Sequence, residues 1–194
     1  PQAKTTRKLA FLELFKLPGF VAVVMVSALI QASHGALYAI GTLYWLDAGI
    51  SESIIGLLWA QGVAAEVVLF AIGLWLVTKV GVKGLLWMAV IGGTIRWVLL
   101  GWSTDVGLLF TVQILHAFTF AATHLAMTHY ITQKVPDQLT ASAQTLYDAL
   151  ALGAFMGLSM TLAGGLYGQI SGQVFWVMAL ISISAGLVLK RCKW

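Results

Sequence analysis

Gln31 and His34 sit three residues apart in "LIQASHGAL", and Gln113 and His116 repeat that spacing in "TVQILHAFT", 82 positions further on. The same offset carries Glu66 to another acid, Asp148, and Arg96 stands between them along the chain. A carboxylate, a guanidinium and imidazoles within reach of one another can take up and release protons. They can also recognise an ionic or hydroxylated solute. No nucleophile–base pair stands out, the four His residues form no H-E-x-x-H pair, and the single Cys192 excludes an internal disulfide framework. No metal, no cofactor and no enzymatic chemistry are expected.

What surrounds these residues is apolar. Of 194 residues, 60% are hydrophobic and 9% charged, with a mean hydropathy of +0.92. Soluble domains average about 25% charged residues, so the solvent of this chain must be lipid. The pI of 9.4 does not imply a nucleic-acid partner, because the basic residues fall in short loops. Six stretches are long enough to cross a bilayer, which takes about 20 apolar residues: roughly Pro18–Tyr44, Ser53–Val77, Gly84–Trp102, Val106–Ile131, Thr140–Leu166 and Gly172–Leu189. Turn-forming joints "DAGISES", "TKVGVKG", "STD", "TQKVPDQ" and "YGQISGQ" separate them. The expected fold is all-α and polytopic. Residues 1–17 form a cytoplasmic interfacial segment or linker, 18–190 the six-helix transmembrane bundle and 191–194 a cytoplasmic tail.

Lys and Arg give the orientation. Lys4, Arg7, Lys8, Lys16, Lys79, Lys83, Lys134, Lys190, Arg191 and Lys193 all fall on one side if six helices alternate, whereas the opposite loops hold only Asp47, Glu52 and Asp105. The positive-inside rule then makes both termini cytoplasmic, with a bacterial inner membrane as the expected location. "TTRKLAFLELFK" reads either as a short interfacial amphipathic helix or as a linker.

Within the bilayer the polar residues follow helical spacing. Ser27, Gln31, His34 and Tyr38 make one stripe on helix one, and Gln113, His116, Phe120 and His124 another on helix four. Trp59, Gly62, Glu66, Phe70 and Gly73 share a face of helix two, and Gln144, Tyr147 and Asp148 cluster on helix five. Helix six, with scattered Ser, reads as a lipid-facing support. A charge at the bilayer centre costs about 2.5–3.5 kcal/mol on insertion scales, so Glu66, Arg96 and His116 are expected to converge. The 82-residue offset suggests two three-helix units in a 3+3 inverted repeat. Two uses stay open for the polar stripes: a wet binding cavity, or hydrogen bonds that only hold helices together in a non-transporting module.

The stretch "QASHGALYAIGTLYWLDAGISESIIGLLWAQGVAAEVVLF", continued in "TIRWVLLG", "QILHAFTFAATHLA" and "LYDALALG", resembles the carboxy-terminal half of phenylpropionate-permease-like transporters of the major facilitator superfamily. The group is lactose-permease-related. The resemblance implies half of a twelve-helix fold, completed by an amino-terminal six-helix half or by a second copy of the chain. It implies a proton-coupled symporter for a small organic solute, with Glu66, Arg96 and His116 as the coupling cluster. An aromatic carboxylate would suit Arg96 with Trp59, Tyr38 and Phe120. A sugar or nucleoside would use the same rings with Gln31 and Gln113; His34 and Tyr147 complete the expected binding set. Asp148, Lys79 and Lys83 are candidates for gating or helix pairing. "TKVGVKG" resembles a degraded copy of the superfamily's loop signature, with Thr78 where an Asp is expected.

Overall fold

The computed structural model describes residues 11–192, and its described secondary structure is entirely helical. Residues 1–10, with Lys4, Arg7 and Lys8 of the interfacial segment, and the end of the tail, with Lys193, lie outside the described residues. Among the described residues, five continuous helical stretches are long and apolar enough to cross a membrane: Phe20–Asp47, Glu52–Ala71, Gly73–Trp102, Val106–Lys134 and Asp137–Arg191. The chain is thus an all-α polytopic membrane protein. Helices suit lipid because they satisfy every backbone donor within the segment.

Two of the five stretches contain a reversal. Gly81, with φ 68° and ψ 177°, interrupts Gly73–Trp102, a left-handed φ that glycine adopts without a Cβ penalty. Ahead of it Gly73 packs on Leu125, and beyond it Gly92 packs on Phe118, so the chain runs with Val106–Lys134 before Gly81 and against it afterwards. The 55-residue stretch turns likewise at Ser171, where φ is 47°. Ahead of that turn Gly35 meets Ser159 and Tyr167 bonds Asp47; beyond it, Gly93 faces Ser182 and Gly186 faces Val90. Ile72 bonds back to Val68 and accepts from Leu76, so Glu52–Ala71 runs on into the segment ahead of Gly81 as one pass, and six helical passes result among the described residues. The segment "TKVGVKG", expected as a loop, is helical on both sides of Gly81, because one left-handed residue suffices for the reversal. "YGQISGQ" is likewise helix and a short 3-10 turn, Ser171–Gln173, rather than an open loop.

Passes one and five run parallel, as do two and four, while three and six pack antiparallel on the outer flank. Pass six, Val174–Arg191, buries Val174, Phe175, Met178 and Ser182 and exposes Trp176, Leu180 and Leu187. Lipid supplies no hydrophobic drive between helices, so close packing must hold them. Gly35 is the clearest case: a Cβ there would come within 2.8 Å of the Ser159 backbone carbon. Two apolar cores fill the ends of the bundle. Phe20, Val77, Tyr130 and Leu189 belong to one, and Trp45, Ile55, Leu109 and Phe175 to the other. The buried polar side chains occupy the layer between.

Regular helix fails at that layer. Pass one breaks between Ala32 and Gly35, so its polar stripe is not on one unbroken helix. Pass four widens into a π-helical turn at Ala117–Ala121, and pass five into another at Asp148–Phe155. Such turns are frequent at functional sites.

Candidate functional site

The centre of the layer is Arg96, fully buried on pass three. Its Nη2 donates to Gln113 Oε1 at 2.7 Å, and its Nη1 donates to His116 Nδ1 at 2.8 Å and to Thr119 Oγ1 at 3.2 Å. A guanidinium has no acceptor, so Nδ1 of His116 must be the lone-pair nitrogen. The proton of the neutral ring therefore sits on Nε2, which meets Glu66 Oε1 from pass two. The result is a chain, Arg96 to His116 to Glu66, in which the imidazole stands between cation and carboxylate. Arg96 also lies over the Trp97 ring, 4.7 Å from its centroid. Gln113 ties the chain to pass two by donating from Nε2 to the Leu58 carbonyl at 3.0 Å.

His34 approaches from pass one. Its ring centroid lies 5.3 Å from that of His116 and 5.2 Å from that of Trp97, and its Nε2 is 3.0 Å from Thr119 Oγ1. Its position follows from the break in pass one. Nδ1 reaches the carbonyls of Ile30 and Gln31, at 3.1 and 3.2 Å, and Ser33 Oγ donates to the Ile30 carbonyl at 2.6 Å. Trp97 Nε1 fixes Ser33 in turn by donating to its Oγ at 2.9 Å.

Above this buried layer lies a partly open aromatic one. His34 stacks on Tyr38 at 5.8 Å and 21°, and Tyr38 on Trp59 at 5.9 Å and 18°. Trp59 is held by donating to Thr42 Oγ1 at 3.1 Å, and Phe120 packs on both imidazoles. Tyr38 is 36% exposed and the Glu66 side chain 16%, whereas Arg96, His34 and Thr119 are each 0% exposed. Of the residues expected to bind solute, Tyr38, Trp59 and Phe120 form an accessible tier and Arg96, Gln113 and His34 a sealed one; of the other expected coupling residues, Glu66 lies with the first and His116 with the second.

Other expected residues stand apart. Gln31 donates to the Tyr147 hydroxyl at 3.4 Å, and Tyr147 packs on His124, which faces Phe70; this forms a neighbouring patch between passes one, two, four and five. Asp148 accepts from Gln144 of its own pass at 3.0 Å. Lys83 reaches the Cys192 carbonyl at 3.4 Å, and Lys79 is exposed; neither lysine meets Asp148. Thr119, which binds Arg96 and His34 together, escaped the sequence reading, as did the anchoring roles of Ser33 and Trp97. Its one signal was the three-residue step from His116. A helical Thr usually just bonds back to its own helix.

The chain matches the model of the MFS_1 like family over residues 1–178. It is 38% identical over 157 residues to the "Probable 3-phenylpropionic acid transporter" of Escherichia coli (strain K12), a match covering 81% of this chain and 41% of that protein. The chain therefore spans less than half the length of that relative. No solved structure matches it.

Proposed function

Because the chain belongs to the MFS_1 like family of major facilitator transporters, we propose that it forms the carboxy-terminal half of a proton-coupled symporter for a small organic solute, an aromatic carboxylate by preference. The observation that carries this reading is the Arg96–His116–Glu66 chain lying beneath the Tyr38–Trp59 stack. A solute ring stacks on Tyr38 and Trp59 while its carboxylate competes with Glu66 for the positive end of the chain. Once the solute supplies the counter-charge to Arg96, Glu66 is released from that duty and takes a proton. Solute and proton are then bound together, and alternating access moves both. The burial of Arg96 makes this exchange a step that requires side chains to rearrange. The 3-phenylpropionate anion is the natural first solute, by analogy with the relative's name.

The amino-terminal half is the partner we assign to the open face of pass five. Gly157, Gly164, Gly165 and Gly168 are exposed there, and a Cβ at any of them would meet nothing within 4 Å. Small residues of this kind let a neighbouring helix approach closely. A second copy of the chain is the other candidate for that face. The 3+3 inverted repeat is part of the same proposal: exchanging passes one, two and three with four, five and six exchanges the two parallel pairs and keeps three against six. Both termini are assigned to the cytoplasm on the distribution of Lys and Arg, and the protein to a bacterial inner membrane by analogy with the Escherichia coli relative.

Glu66→Gln tests the mechanism. Uptake of labelled 3-phenylpropionate driven by a proton gradient should be lost, while solute exchange between equal proton concentrations survives. Uptake that stays proton-driven in this variant removes Glu66 from the coupling role. A second reading, interhelical glue, draws on the complete burial of Arg96 and Gln113. It expects Glu66→Gln to lower thermal stability and to depress exchange and uptake alike.

A further inference from the structure

The Thr119 hydroxyl has one hydrogen and two lone pairs, and three groups approach it, one of them a carbonyl of its own pass. Arg96 Nη1 donates to it at 3.2 Å, His34 Nε2 lies at 3.0 Å, and the His116 carbonyl stands 3.1 Å away as an acceptor. Arg96 always donates, so one lone pair is committed. The Nδ1 of His34 faces two carbonyl oxygens and must carry a proton. What remains open is Nε2. If it is bare, it accepts the Thr119 hydrogen, and the His116 carbonyl loses that bond. If it is protonated, it donates to the second lone pair of Thr119, whose hydrogen then turns to the His116 carbonyl. Both arrangements satisfy every distance seen.

We propose that His34 is a second proton-exchanging site of the transporter and that Thr119 is the rotor that links its proton to the Arg96–His116–Glu66 chain. The inference rests on the symport reading above and deepens it. The charged and titratable groups that face His34 are Arg96 from pass three, His116 from pass four, Tyr38 from its own pass, Glu66 from pass two by way of His116, and Tyr147 from pass five by way of Gln31. Arg96 is the one fixed cation among them. A proton on His34 is therefore repelled by the Arg96 charge across a single hydroxyl, and an anionic solute engaged with Arg96 offsets that repulsion. Solute and proton then favour each other at His34 as they do at Glu66. Thr119 is a positioning residue in this scheme: it touches neither solute nor transferred proton in the Glu66 step.

Nitrogen-15 magnetic resonance of histidine-labelled full-length protein in liposomes reads the ring states directly, with His34 assigned by its loss in His34→Asn. At neutral pH His34 should carry its proton on Nδ1 and His116 on Nε2, with His34 becoming doubly protonated on acidification. Thr119→Val removes the acceptor, and the doubly protonated fraction at a given acid pH should fall about tenfold, the equivalent of one pH unit. Thr119→Ser should restore it, which excludes a folding defect. A His34 that stays singly protonated throughout the titration, or that titrates identically in Thr119→Val, overturns the proposal. Adding 3-phenylpropionate should raise the doubly protonated fraction. If it does not while the Thr119 effect stands, the carboxylate reading fails and the proton site at His34 survives.

Discussion

Two polar regions share the middle of the bundle and are built in opposite ways. Around Arg96, passes one, three and four contribute side chains that bond one another at 2.7–3.2 Å, and Glu66 of pass two joins them through His116. Around Asp148, the carboxylate bonds a residue of its own helix, and the glycines further along the same pass face open space. Glu66 and Asp148 occupy positions 82 apart, yet one closes a network and the other does not. A residue type inside a membrane therefore says little until its partners are known. The complete network is a candidate for chemistry within this chain, and the incomplete one for an encounter with something outside it.

The sharpest way to break the first region is Arg96→Ala. It strips the donor from Gln113 Oε1, His116 Nδ1 and Thr119 Oγ1 together and leaves the Glu66 carboxylate without a cation. Breaking a buried pair from one side typically costs about 3–5 kcal/mol. Thermal unfolding in lipid nanodiscs should show a loss of that order, and transport should vanish. Arg96→Lys should recover part of the stability, since one ammonium cannot span three divergent acceptors. A stable, active Arg96→Ala protein would mean that the cluster is dispensable.

Glycines separate the two regions next. Gly35→Ala forces a Cβ into the Ser159 backbone and should cost about 1–3 kcal/mol as overpacking. Gly164→Ala meets nothing in this chain and should leave its own stability within about 0.5 kcal/mol. If the proposed pairing with an opposing half is right, the second substitution should nonetheless weaken that association, read as a drop in cross-linking between the halves. Equal effects of the two substitutions on the isolated chain would show that the pass-five face is already packed.

The sequence made much of this legible. Membrane-length apolar runs gave the passes, because lipid demands about 20 apolar residues whatever the packing. Convergence of Glu66, Arg96 and His116 followed from cost, since lone charges are too expensive to scatter. Burial depth did not follow, and Arg96 is sealed where open contact with solute was expected. Nor did the order of partners: His116 stands between Glu66 and Arg96, and spacing along single helices cannot reveal which helix intervenes. Thr119 left only its three-residue step from His116, because a helical Thr can satisfy its hydroxyl on its own helix and leaves little mark in hydropathy. The loop "TKVGVKG" misled because its basic and glycine residues suggest open chain, whereas only Gly81 departs from helix.

The smallest expected effect makes the most discriminating comparison. Asp148→Asn keeps an oxygen that can accept from Gln144 Nε2 and removes a charge that no basic side chain neutralises among the described contacts. In this chain it should change stability by less than about 0.5 kcal/mol, the range for substitutions that break no contact, and leave proton-driven uptake within about twofold. Glu66→Gln is the same chemical change at the position related by the 82-residue offset, and it is expected to abolish that uptake. Equal behaviour in the two variants would imply that both acids titrate in the transport cycle, each serving one half of a functional two-fold. Unequal behaviour would place the offset in the architecture alone, with proton chemistry confined to the acid that has an imidazole and a guanidinium behind it.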